Sequence, residues 1–151
     1  MAYDGYVKLI EEIFLPADVD LQHVLSQGDE RELFAVWNTH RWRRTLLDML
    51  EKNPNSGANW QDELDKLAPV TAMHALAANR RLVELLTGRR WSVMRDAREA
   101  QASWSEIGAM LGMSKQGAHD FYQRKIEAQE EHAGQWHDAE RARAVLDEPA
   151  E

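Results

Sequence analysis

Residues 103–122 read SWSEIGAMLGMSKQGAHDFY, and the stretch contains two helical patterns separated by a turn. Ile107 and Leu111 share one face of the first helix, and Gly112 follows them, where a positive φ angle is easily adopted. Ser114 is a typical N-cap for the second helix. The packed face of that helix is predicted at spacing i, i+3, i+4 and i+7, by Ala118, Phe121, Tyr122 and Lys125. Two helices are therefore expected to meet at a tight corner.

The two helices are expected to cross at Gly108, because a larger side chain there would hold them apart. Met113 follows the turn and can fill the junction between the helices. The outer face of the second helix has almost no apolar content and consists of Lys115, Gln116, His119, Asp120 and Gln123. A polar helix held at a fixed angle is thus the central feature of the sequence.

This spacing resembles the helix-turn-helix segment of bacterial DNA-binding proteins, in which a small residue and a turn glycine four positions later hold a recognition helix. Residues 102–119 are similar to segments of small transcriptional regulators and of the promoter-reading region of sigma factors. The resemblance extends less specifically to residues 89–101 and does not include residues 1–78. One departure is Gly117, which costs up to about 1 kcal/mol relative to alanine and either permits close approach to phosphate or softens the helix.

The resemblance implies a sequence-specific DNA-binding protein, a transcriptional regulator that inserts residues 114–125 into the major groove. Gln116 can pair with adenine, Lys115 or Arg124 can reach guanine or phosphate, and Asp120 either accepts from cytosine or repels phosphate. The flanking arginines either neutralise phosphates or form a solvated helix face. The predicted DNA-binding residues are Ser103, Ser105, Ser114, Lys115, Gln116, Gly117, His119, Asp120, Gln123, Arg124, Arg89, Arg90, Arg95 and Arg98.

The charge of the chain is unevenly distributed. Its net value of -8 disfavours a polyanionic partner. However, residues 79–125 carry 9 Lys and Arg against 5 Asp and Glu, whereas residues 1–78 carry 7 against 13 and residues 126–151 carry 2 against 8. Local charge governs docking, because salt screens fields beyond about 8–10 Å. The basic segment is the one that contains the corner.

The sequence lacks the period-2 alternation of strands and is rich in helix-forming residues, which predicts an all-α fold. We expect an acidic helical region over residues 1–78, with a first helix over residues 6–14, packed on a helix-turn-helix unit over residues 79–125. A helical acidic tail over residues 126–151 follows. Gly88 either breaks the helix that begins after Val70 or lies within it.

The tail has few apolar anchors, namely Trp136, Val145 and Leu146. Trp136 stands in a polar helix, so it must either fold back or become buried in another subunit. We expect a homodimer contact through residues 126–146, because two-fold partners place paired recognition helices in successive major grooves.

Several classes of protein are disfavoured by what the sequence lacks. It contains no cysteine, no apolar run of membrane-spanning length and no basic, apolar start. It has no glycine-rich phosphate loop, nucleophile elbow or HExxH motif, and His132 and His137 are five residues apart, off the spacing of paired helical ligands. We therefore expect a cytoplasmic protein that is not an enzyme and uses neither membrane, metal nor cofactor.

Double-stranded DNA is the expected partner, and RNA polymerase or another regulator is the candidate partner of residues 1–78. The alternative function is a protein-interaction module, an adaptor or antitoxin-like protein that uses the helix-turn-helix scaffold and its acidic surfaces to bind a protein.

Overall fold

The computed structural model describes residues 13–57 and 59–147, which form an all-α protein. The described residues contain no strand, and one isolated antiparallel bridge joins Pro16 to Leu67. The all-α prediction is therefore confirmed. The helices are α1 (Leu21–Gln27), α2 (Glu30–Lys52), α3 (Trp60–Asp65), α4 (Ala72–Glu99), α5 (Trp104–Leu111), α6 (Lys115–His132) and α7 (Ala139–Ala144), with a 3-10 helix (Gly134–Trp136) before α7.

Three predictions reach beyond the described residues. The helix expected over residues 6–14 lies outside them except for Ile13 and Phe14, which form a turn and a bend. Residues 1–12 of the acidic region and 148–151 of the tail also lie outside them. No helix in the described part of the chain combines the length and apolar character that a membrane span requires.

Helix α4 runs without interruption through Gly88. A Cβ atom added at Gly88 would meet nothing within 4 Å, so no close packing requires glycine there. Of the two alternatives for this residue, the one that places it inside the helix is therefore correct. The helical pattern over residues 91–101 is the second half of α4, which ends at Glu99.

The chain divides into two compact units after Leu85. The first unit has its core between α1, α2 and the beginning of α4, where the buried residues are Leu15, Val24, Leu33, Ala35, Val36, Ala68, Val70 and Ala78. Inside this unit Thr39 is fully buried, and its Oγ1 accepts a hydrogen bond from the Leu15 amide at 2.8 Å. The segment before α1 is thereby fastened to α2.

The division differs from the predicted boundaries. It falls after Leu85 instead of residue 78, because Leu82 and Leu85 pack against the core of the first unit. Residues 126–147 are not separate from the corner either, since Ile126 and Ala142 are buried in the same cluster as Trp104. A helical pattern cannot reveal such a division, because α4 contributes to both units.

Candidate nucleic-acid interface

The corner between α5 and α6 forms as the sequence predicts. Ser103 caps α5: its Oγ accepts a hydrogen bond from the Glu106 amide at 3.1 Å, and the Glu106 carboxylate accepts one from the Ser103 amide at 2.7 Å. Hydrogen bonding by the main chain and side chain of Ser103 to the Glu106 carboxylate holds the pKa of that carboxyl below its usual value. Gly112 ends α5 in the left-handed region, with φ 66° and ψ 31°. Ser114 then caps α6 by accepting from the Gly117 amide at 2.9 Å.

Gly108 is the point of closest approach within the corner. A Cβ atom there would lie 2.8 Å from the main-chain oxygen of Met113 and 2.9 Å from that of Ser114. The Met113 amide also donates to the Gly108 carbonyl at 2.8 Å. The turn therefore rests directly on the α5 backbone, and this fixes the direction in which α6 begins.

The core of the second unit joins the corner to the C-terminal segment. Trp104 and Tyr122 are buried, and their ring centroids lie 5.3 Å apart. The Tyr122 hydroxyl donates to the Ala142 carbonyl at 2.6 Å, and the Trp104 indole donates to the Leu146 carbonyl at 3.2 Å. The sequence did not predict the hydrogen-bond partner of either Tyr122 or Trp104. The only indication that the C-terminal segment packs here was the apolar pair formed by residues 145 and 146.

Burial raises the pKa of Tyr122 to about 12, from an ordinary value of 10.0. Between these two values the unfolded chain loses the phenol proton while the folded protein keeps it. Because the unfolded state then binds fewer protons, the free energy of unfolding is expected to fall as pH rises through this window. Urea unfolding at a series of pH values would measure the decline, and Tyr122→Phe should reduce it. An unchanged decline in Tyr122→Phe would assign it to other groups.

The outer face of α6 carries the polar side chains that the sequence predicts. Lys115 and Gln116 are exposed in its first turn, and the Gln116 amide donates to the Asp120 carboxylate at 2.7 Å. Gln123 is half-buried and donates to Glu127 at 3.1 Å. The exposed Arg124 guanidinium donates to the Asp120 carbonyl at 3.4 Å. Most of the predicted base-reading groups thus meet on one surface.

His119 lies on the same helix but belongs largely to the core. Its side chain is 28% exposed, and its ring packs edge-on against Trp104 at a centroid distance of 5.3 Å. Nε2 lies 3.2 Å from the Leu146 carbonyl oxygen. Nδ1 is buried without a hydrogen-bond partner, and Asp120 is too distant at 3.7 Å to serve as one. In this arrangement the ring is held inward, away from the position expected of a base-reading group.

The four flanking arginines interact within the protein. Arg98 donates to three carbonyl oxygens, those of Ala102 at 2.8 Å, Val145 at 3.0 Å and Asp147 at 3.1 Å. Arg95 lies over the Trp91 ring and pairs with Asp96 at 3.0 Å, with 15% of its side chain exposed. Arg90 lies over the Phe121 ring, 5.6 Å from its centroid. Arg89 is exposed.

The guanidinium donors of Arg98 are directed at main-chain oxygens of its own chain, and a phosphate contact by Arg98 stays a prediction. The remaining predicted residues lie near the corner. Ser105 is exposed on α5, whereas Ser103 and Ser114 use their hydroxyl groups as caps. Gly117 lies where a Cβ atom would approach the Ser114 hydroxyl at 3.0 Å.

Negative charge borders the outer face of α6 on two sides. Asp120 and Glu127 line a groove along the helix together with Arg124. Asp147 lines a second groove, with Lys115 and Gln116, at the N-terminal end of the helix. Within the described residues, no three side chains of metal-ligating type gather at one place. The candidate interface is thus a polar helix face of mixed charge, whose side chains can donate and accept hydrogen bonds.

Comparison of the chain with protein-family models, with curated proteins and with solved structures finds no match.

Proposed function

We propose that this protein binds double-stranded DNA sequence-specifically and acts as a cytoplasmic transcriptional regulator, with the N-terminal part of α6 in the major groove. The observation that carries the proposal is the corner between α5 and α6. Gly108 brings the two backbones together, Gly112 provides the left-handed turn and Ser114 caps the second helix. A helix fixed in this way can enter a groove at a defined angle, which sequence recognition requires.

The first turn of α6 supports this role by its chemistry. Gln116 and Asp120 are exposed and bonded to each other, so a donor and an acceptor are held in fixed relation on the outer face. Lys115 and Arg124 add positive charge on the same helix. Amide and cationic side chains at the beginning of a recognition helix are the groups that read base edges and contact phosphates.

Selection from a random duplex library, with the purified chain of residues 1–151 at low salt, tests the proposal. We expect enrichment of one motif, and we expect Lys115→Glu to abolish that enrichment at the same salt concentration. Affinity for the recovered duplex should fall steeply with salt, because phosphate contacts release counterions. Failure to enrich any motif at low salt would contradict DNA recognition.

Gln116→Ala is expected to relax preference at one base position of the recovered motif, by about 1–3 kcal/mol. The lost interaction is a hydrogen bond to a base edge, so binding to the other positions should be little affected. Competition between single-base variants of the duplex would measure the change. Gln135→Ala is the matched control, since Gln135 is exposed beyond the C-terminal end of α6. Equal profiles for both variants would show that Gln116 does not read a base.

A homodimer remains part of the proposal because of Trp136, which is 86% exposed in the described structure. The side chain does not fold back into the core, so burial against a second copy is the remaining expectation for it. Paired α6 helices would then read two half-sites about 34–36 Å apart. An inverted repeat in the recovered motif, together with a dimer in sedimentation, would support this arrangement.

A protein-interaction module is the second candidate, and a specific observation favours it. Met110 is 90% exposed on α5, beside a helix bordered by carboxylates. An exposed methionine can pack against an apolar protein surface, whereas a phosphate backbone offers it no such contact. Absence of DNA enrichment would favour this function, with residues 1–78 as a further surface for RNA polymerase or another regulator.

A further inference from the structure

Residues 145–147, which we name the C-terminal strap, are bonded to both helices of the corner. The Leu146 carbonyl accepts from the Trp104 indole at 3.2 Å and lies 3.2 Å from Nε2 of His119. Arg98 donates to the carbonyl oxygens on either side, those of Val145 at 3.0 Å and Asp147 at 3.1 Å. All three main-chain oxygens of the strap are therefore engaged.

Side-chain hydrogen bonds also hold α7, the helix that precedes the strap. Arg141 makes two hydrogen bonds to the Glu99 carboxylate, both 2.7 Å, and Arg143 makes two to Glu130, at 2.7 and 2.8 Å. These bidentate pairs connect α7 to α4 and to α6. Val145 and Leu146 also pack against the buried cluster of the second unit. The strap is thus an ordered part of the second unit.

The strap lies beside the N-terminal end of α6, which DNA would have to approach. Together with Trp104 it borders a cavity of about 230 Å³, whose other walls are Lys115, Gln116 and His119. These three residues belong to the predicted base-reading face. His119 is turned inward by its contact with the strap, and its exposure is 28%. Access to His119 therefore depends on where the strap lies, whereas Lys115 and Gln116 are exposed beside it.

The strap also opposes DNA binding through its charge. The N-terminal end of a helix carries partial positive charge, which stabilises an anion. Asp147 is exposed and lines the groove at this end of α6, so its negative charge lies near the position where a DNA phosphate would otherwise be stabilised. In the sequence, Glu148 and Glu151 follow. An approaching polyanion thus meets negative charge at the position where it needs a positive one.

We propose that the C-terminal strap is autoinhibitory: it covers His119 and places Asp147 beside the exposed Lys115 and Gln116, and it must leave before duplex DNA makes its full contact with the first two turns of α6. The inference rests on the proposed DNA-binding function. The apparent affinity for DNA is then reduced by the fraction of molecules in which the strap is released. Release of the strap, by a variant or by a cationic partner of Asp147, activates the protein.

Two variants and one control, each with residues 1–151, test the proposal on the duplex recovered by selection. Arg98→Ala removes the hydrogen bonds to Val145 and Asp147, and we expect it to bind the duplex about tenfold more tightly than the unmodified protein. Asp147→Asn removes only the side-chain charge, because the bond from Arg98 goes to the main-chain oxygen. We expect a smaller gain of affinity for Asp147→Asn. Glu131→Gln changes charge equally at the far end of α6 and should leave affinity within about twofold.

The sign of the Arg98 effect is decisive. A direct phosphate contact by Arg98 would make Arg98→Ala bind more weakly, whereas release of the strap makes it bind more tightly. The NMR signal of the Trp104 indole N–H provides a second readout, because this group donates to Leu146. We expect slow solvent exchange of this proton in the free protein and fast exchange in the DNA complex.

The possible results distinguish a failure of the autoinhibition proposal from a failure of the DNA-binding proposal. Equal or weaker DNA binding by both Arg98→Ala and Asp147→Asn, while the unmodified protein binds, would overturn autoinhibition and leave the DNA-binding function intact. Slow exchange of the Trp104 indole proton in the complex would do the same. Absence of binding by the unmodified protein and by both variants at low salt would overturn the function, and the strap proposal with it. If Arg98→Ala does not fold, Asp147→Asn decides.

Discussion

Trp104→Ala is expected to lower the free energy of unfolding of the second unit by about 3–5 kcal/mol. The Trp104 side chain is 1% exposed, and its ring lies 5.3 Å from the ring centroids of both Tyr122 and His119. The Arg98 guanidinium lies over it at the same distance. Truncation removes this packing, leaves a cavity and deprives the Leu146 carbonyl of one donor.

Urea unfolding, with hydrogen exchange followed on peptides from residues 104–132, would measure the Trp104 effect in the unit that contains it. Trp136→Ala is the matched control when it is measured at a concentration where sedimentation shows the protein to be monomeric, because it deletes the same side chain at a position that is 86% exposed in the single chain. Surface substitutions of this kind usually change stability by no more than about 0.5 kcal/mol. Equal losses in the two variants would contradict the assignment of Trp104 to the core.

The corner could be predicted because its determinants are local. The turn at Gly112, the cap at Ser114 and the close approach at Gly108 involve residues within a few positions of one another. Backbone conformation and capping preference act over this range, so the sequence pattern indicates them directly. The outer face of α6 follows from the same helical periodicity.

The partners of the charged and aromatic residues could not be predicted in this way. Arg98 bonds to residues 47 and 49 positions away, and Trp104 bonds to one 42 positions away. A basic residue beside a DNA-binding pattern suggests a phosphate contact, yet Arg98 donates to main-chain oxygens. In the sequence, residues 145–147 are only a short apolar pair and an aspartate in an acidic tail. No local sequence rule predicts where in the fold such a pair packs. The base-reading role of α6 itself stays a prediction.

Gly108→Ala is expected to destabilise the second unit by about 2–3 kcal/mol, although alanine is normally the better helix former. Its Cβ atom would lie 2.8 and 2.9 Å from two main-chain oxygens, and neither can move without shifting the turn that begins α6. Gly88→Ala is the matched control, since Gly88 is also inside a helix but has nothing within 4 Å of the added atom. There, alanine should stabilise the protein by up to about 1 kcal/mol.

The two glycine variants also connect the fold to the proposed function. If Gly108→Ala remains folded at low temperature, the direction of α6 should change, and affinity for the selected duplex should fall at least about tenfold, while Gly88→Ala should bind normally. Urea unfolding and duplex binding on the same preparations would separate the two effects. A folded Gly108→Ala protein with unchanged DNA affinity would show that recognition does not depend on the angle set by the corner. Stabilisation by Gly108→Ala would contradict the close approach itself, because an added methyl group can stabilise a helix only where space exists for it.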